Sequence, residues 1–87
     1  MISIEDCIAL SGLTRDEIDA IAEHEHIPEA AATALAGYLM TVKGGPGQVR
    51  DMIRDDIRAA MAAGHHGHAA ELLAALRHFL AEHPAKP

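Results

Sequence analysis

Aromatic side chains are almost missing from this chain: Tyr38 and Phe79 are the only two, and there is no tryptophan. Stacking of bases and gripping of ligands in deep pockets both draw on aromatic rings, so neither is expected here. Cysteine occurs once, at Cys7, which excludes an intramolecular disulfide. Basic residues are also scarce, seven against thirteen acidic ones, for a formal charge of −6. That balance argues against a general nucleic-acid binder and against adhesion to anionic membranes. No apolar run approaches the roughly 18 residues that a membrane-spanning helix needs. The start, Met1 to Asp6, lacks the basic and apolar regions of a secretory signal. The expected location is the cytoplasm.

What is present is an apolar content of 49% in 87 residues, enough for one domain with one modest core. Seven histidines qualify the negative charge. Protonating all of them would add seven positive charges and take −6 to +1. The surface therefore loses much of its negative charge as pH falls through about 6 to 6.5.

Helix signals recur along the whole chain. Ser3 and Asp6 form a capping-box-like start, Ile4, Cys7 and Ile8 share a face, and Gly12 is a natural stop, which predicts a short helix over 4–10. Cys7 belongs to that apolar face and reads as a small core residue, with no base nearby to make it a nucleophile. A stronger start follows at Thr14 with Glu17 three residues on, a capping box. Leu13 and Ile18 are set as a hydrophobic staple, and the helix is expected over 15–26. Pro28 opens a third helix, 28–43, with Ala31, Ala32, Leu35, Tyr38, Leu39 and Val42 as its buried face. Gly44-Gly45-Pro46-Gly47 breaks the chain. Helix four, 46–63, turns Val49, Ile53, Ile57, Ala60 and Met61 inward and pairs Asp51 with Arg54 and Asp55 with Arg58 outside. Gly64 closes it. Helix five, 66–82, carries Ala69, Leu72, Leu73, Leu76, Phe79 and Leu80, and residues 83–87 form a frayed tail. The fold class is thus all-α, a compact bundle of about five helices with short connections. Its alanine-rich surfaces supply little bulk, so the core is expected to be completed by a second copy of the chain or by another protein.

Two places carry possible chemistry. The first is Glu23-His24-Glu25-His26-Ile27-Pro28. Helical phase puts Glu25 in the middle of the face defined by Ile18, Ile21 and Ala22, with His24 and His26 on either side. A carboxylate on an apolar stripe needs a cation, donors or a metal, unless the helix ends early and leaves it wet. Glu23 and His26 have the i, i+3 spacing found in di-iron bundles, but no second such pair exists in the chain. The plainer reading is a C-terminal turn whose histidines suit the negative end of the helix. The second place is Gly64-His65-His66-Gly67-His68, a helix–helix turn of a composition that binds divalent transition metals without a fixed ligand spacing. His65 and His83 project onto the apolar stripe of helix five, where each also reads as a core-edge histidine. The candidate metal ligands are therefore Glu23, His24, Glu25, His26, His65, His66 and His68.

Other constellations fail. Arg50, Arg54 and Arg58 form a basic stripe, but Asp51, Asp55 and Asp56 interleave it. The two helices joined at His26-Ile27-Pro28 resemble a helix-turn-helix in length. The second, however, opens with Glu29 and has Lys43 as its only base, so it would repel phosphates. Gly44-Gly45-Pro46-Gly47 lacks the Lys-Ser/Thr of a phosphate loop. No catalytic triad or cysteine–histidine spacing is evident, and no enzymatic activity is expected.

The runs Leu13-Thr14-Arg15-Asp16-Glu17-Ile18 and Glu23-His24-Glu25-His26-Ile27-Pro28-Glu29 resemble a family of small bacterial helical proteins. Met52-Ile53-Arg54-Asp55-Asp56-Ile57 and Leu76-Arg77-His78-Phe79-Leu80 look similar to it too. The resemblance implies an all-helical fold and carries no functional residue across. Three functions are open at this point: an oligomerising or partner-binding module without catalysis, a metal-binding protein, and a pH-responsive interaction module.

Overall fold

The structure, a computed structural model, describes residues 3–84. Met1, Ile2 and residues 85–87 of the expected tail lie outside the described residues. Five helices follow one another: α1 (Ile4–Ser11), α2 (Arg15–Glu25), α3 (Glu29–Leu39), α4 (Gly45–Ala62) and α5 (His66–Glu82). The described residues contain no strand. The all-α bundle of five helices expected from the sequence is what forms.

The helix starts follow their caps. The Ser3 hydroxyl accepts from the Asp6 N–H at 3.1 Å, and the Asp6 carboxylate accepts from the Ser3 N–H at 3.3 Å. Thr14 and Glu17 repeat the arrangement at α2, at 3.2 and 2.8 Å. Both are capping boxes, each satisfying two backbone donors that helix geometry leaves without partners.

Left-handed residues set the ends of α1, α2 and α4. At α2, the Ile27 N–H bonds the Ala22 carbonyl (3.1 Å) and the His26 N–H bonds the Glu23 carbonyl (3.3 Å). At α4, the His65 N–H bonds Ala60 (2.8 Å) and the Gly64 N–H bonds Met61 (3.1 Å). The two patterns are the same Schellman motif. One places Gly64 at the left-handed position (φ 78°) and the other places His26 there (φ 56°). A residue with a Cβ is strained in that conformation, and His26 is the one non-glycine with positive φ among the described residues.

Helix α3 stops at Leu39, four residues short of the expected 43. The Thr41 hydroxyl bonds the Tyr38 carbonyl at 2.8 Å, and the chain tightens into turns through Gly44. Gly45 explains the stop. A Cβ at this position would collide with the Leu39 carbonyl, so α4 begins in contact with the backbone at the end of α3. Only glycine permits that approach.

One core cluster runs through all five helices. Ile18, Ile21, Ile53, Val49 and Phe79 are its largest fully buried apolar side chains, and Ala32 and Ala36 lie among them. α4 and α5 form an antiparallel hairpin, and α2 packs against α3, α4 and α5. The expected faces are partly displaced. On α3 the buried residues are Ala32, Thr33, Ala36 and Leu39, while Ala31 is exposed and Tyr38 is 63% exposed. Thr33 enters the core because its hydroxyl bonds the Glu29 carbonyl at 2.8 Å. Met61, Leu73 and Leu80 also stand outside, each one residue, or about 100°, beyond a buried neighbour on its helix. Cys7 is half-buried and unpaired. Outside, Arg58 meets Asp55 at 3.5 Å as expected, but Asp51 pairs with the adjacent Arg50 at 3.2 Å.

Candidate functional site

The acid and imidazole residues gather where α2 lies on the α4–α5 hairpin. Three histidine–carboxylate pairs cross from one helix to another. His24 Nδ1 of α2 lies 3.1 Å from Asp56 Oδ1 of α4. His68 Nε2 of α5 lies 2.6 Å from Glu23 Oε1 of α2. His78 Nδ1 of α5 lies 3.0 Å from Glu17 Oε2 of α2. An ionised carboxylate only accepts, so in each pair the imidazole N–H donates.

Glu17 is the buried acid among the described residues, at 1% exposure. Its place follows from the cap. At the third helical position its side chain folds back to the Thr14 N–H, which presents the other oxygen to α5. His78 lies 61 residues away in sequence and is half-exposed. Sequence reasoning saw Glu17 only as half of a capping box and missed His78 altogether. The available signal was the i, i+3, i+4, i+7 series Glu17, Ala20, Ile21, His24. It marks a second inward stripe on α2 with an acid at one end and an imidazole at the other.

Glu25, by contrast, is exposed. The expectation that it lies buried among apolar residues is therefore corrected. Glu25 is the last residue of α2, and the turn at His26 brings Ile27 back against the core to close the apolar face at this end. The wet carboxylate at the end of the helix is the reading that holds.

Glu23, Asp56, His65 and His68 line one recess of about 240 Å³, with Ala59 and Ala60. The two histidine-bearing turns thus meet in space through Glu23 and His68. Glu25, His26 and His66 are exposed and do not line the recess. The second oxygen of Asp56 is buried without a donor. No group of three or more His, Cys, Asp or Glu side chains among the described residues is placed to hold one metal ion. His83, at the far end of α5, stacks obliquely on Phe79 with ring centroids 4.7 Å apart and is a half-buried core-edge histidine.

At His68 and His78 the electrostatics favour the protonated imidazole. His68 is raised above its ordinary 6.5, first by its hydrogen bond to Glu23, with the charges of Glu23, Glu71 and Asp56 adding and desolvation opposing. His78 is raised by its hydrogen bond to Glu17, with the charges of Glu17 and Glu82 adding and desolvation again opposing. Asp19, beside this seam on α2, is raised chiefly by desolvation and then by the neighbouring Glu29 carboxylate. Arg15 meets Glu29 at 2.6 Å and Glu5 at 3.4 Å, tying α1, α2 and α3 together at the other side of α2.

Comparison with protein-family models, with curated proteins and with solved structures gives no match. No helix among the described residues is long and apolar enough to cross a membrane.

Proposed function

We propose that this chain is a non-catalytic helical interaction module whose association with a second copy, or with another protein, is set by histidine protonation. One observation carries the reading: three separate helix–helix contacts of α2 end in a histidine–carboxylate pair. Protonation strengthens the His68–Glu23 and His78–Glu17 pairs and lowers the −6 charge that keeps copies apart. Leu10, Tyr38, Met61, Leu73 and Leu80 supply exposed apolar surface for contact. Thermal melts and light scattering near pH 7.5 and near pH 5.5 test it. A higher melting temperature and a larger mass at the lower pH are expected; equal values of both at the two pH values would overturn it.

A second reading, binding of a divalent transition metal, is favoured by the orphaned Asp56 oxygen in a recess that Glu23, His65 and His68 share. It requires the Glu23–His68 pair to open and admit the ion. Metal-free protein purified without a histidine tag would then gain thermal stability on adding Zn²⁺, and no gain refutes this reading.

A further inference from the structure

At the end of the α4–α5 hairpin away from the histidine turns lies a groove of about 600 Å³. Met40 and Val42 from the α3–α4 connection, Pro46 from the first turn of α4, and Phe79 and Leu80 from the end of α5 form its apolar walls. Lys43 and Arg50 stand on it, and among the described residues no aspartate or glutamate lines it. In a chain with thirteen acidic residues against seven basic ones, a cavity whose charged lining among the described residues is Lys43 and Arg50 is a local reversal of the protein's charge. Arg50 meets Asp51 through Nε at 3.2 Å, so its guanidinium is oriented by a neighbour that does not itself line the groove.

We propose that this groove binds a medium-chain alkyl carboxylate, with the chain along the apolar walls and the carboxylate at Lys43 and Arg50. A volume of this size suits a small organic ligand. The walls withdraw methylenes from water, and the guanidinium and ammonium give charge-assisted hydrogen bonds to a carboxylate. An alkyl chain is favoured over a peptide because, among the described residues, the groove offers no strand edge and Thr41 is its only uncharged polar side chain other than His83. Peptide groups buried there would be left without partners, whereas an alkyl chain has none to satisfy. The site lies apart from the histidine–carboxylate pairs and shares only Leu80 with the exposed apolar surface named above.

Titration of the whole chain with decanoate, followed by amide resonances in two-dimensional NMR, tests the proposal. Shifts are expected to centre on residues 40–50 and 79–84. Octanoate is expected to bind several-fold more weakly, since each methylene buried is worth up to about fourfold. Decanol and decyltrimethylammonium are expected to bind more weakly than decanoate, because neither presents an anion. Lys43→Gln and Arg50→Gln lie at the groove rim rather than in the core. Each is expected to weaken decanoate by about two- to fivefold, the range of an exposed charge contact, while leaving the remaining resonances in place. Shifts centred elsewhere, equal binding of the cationic amphiphile, or unchanged affinity in both variants would overturn the proposal.

Discussion

Replacing Glu17 by alanine removes the one fully buried carboxylate among the described residues, and with it both the cap on Thr14 and the pair with His78. The Thr14 N–H loses a charged acceptor at 2.8 Å, a loss of about 1.5–2 kcal/mol for a half-buried donor. The buried stem of the side chain takes with it about 1 kcal/mol of apolar burial. The total, about 2.5–3 kcal/mol, is a large share of the stability of a domain this small. At about 4–8 °C per kcal/mol it lowers the melting temperature by about 10–24 °C, read by far-UV circular dichroism near pH 8. Glu17→Gln isolates the second job. It keeps the shape and one acceptor, so it loses less near pH 8, but it cannot form a charged pair with His78. The gain in stability on lowering pH therefore shrinks in Glu17→Gln, and it shrinks equally in His78→Gln. Combining the two substitutions is expected to add nothing further to that loss, because both remove the same pair. A Glu17→Ala variant melting within about 3 °C of the parent, or a pH response intact in Glu17→Gln, would refute the burial and the pairing respectively.

The unaltered protein should melt higher near pH 6 than near pH 8, in scanning calorimetry with pH as the only variable. His68 and His78 are raised above 6.5, so their contribution is fully present below the unfolded value and is lost as pH rises through the folded ones. Gly45→Ala should cost about 2–3 kcal/mol, visible in urea unfolding, because its Cβ meets the Leu39 backbone rather than a yielding side chain. His26→Gly should stabilise by about 0.5–1 kcal/mol by the same measurement, since it relieves a left-handed non-glycine residue at φ 56° while leaving the Schellman hydrogen bonds. Arg15→Gln should change stability by less than about 1 kcal/mol, because both of its ion pairs are solvent-exposed on the arginine side.

The helices were legible because their punctuation is local. Ser3 with Asp6, Thr14 with Glu17, and Gly12 and Gly64 after the last turns each act within a few residues. α3 was read too long because Val42 continues the apolar period past Leu39. What ends the helix is the packing of Gly45 on the Leu39 carbonyl, which no local pattern announces. Its face was misread for a related reason. Alanine occurs on every side of α3, so hydrophobic spacing barely fixes its rotation, and the buried polar residue Thr33 carries no apolar signal. At the site, the Glu23–His26 turn and the His65–His68 turn were visible as places, but their partners were not. His24 meets Asp56 across 32 residues and His68 meets Glu23 across 45, and such pairings follow from helix docking alone. Glu25 was overrated because the wheel assumes that neighbours continue to the helix end, and here Ile27 takes over the last of the face.

The pairs of His68 and His78 share one consequence for how pH acts on the fold. Both join α2 to α5, and no histidine–carboxylate pair among the described residues lies within the hairpin itself or between α1 and α3. The hairpin is held by apolar contacts such as Val49, Ile53, Leu72 and Phe79, which do not titrate. α2 brings two large core residues to its seat, Ile18 and Ile21, and the rest of that face is Ala20, Glu17 and the half-buried His24. Deprotonation of His68 and His78 is therefore expected to loosen the seating of α2 while the helices themselves persist. Native-state hydrogen exchange should show this as protection in α2 that falls from pH 6 to pH 8, after correction for intrinsic rates, with little change in the middle of α4. Equal losses in the two helices would mean that pH acts on global stability and that α2 is not the moving part.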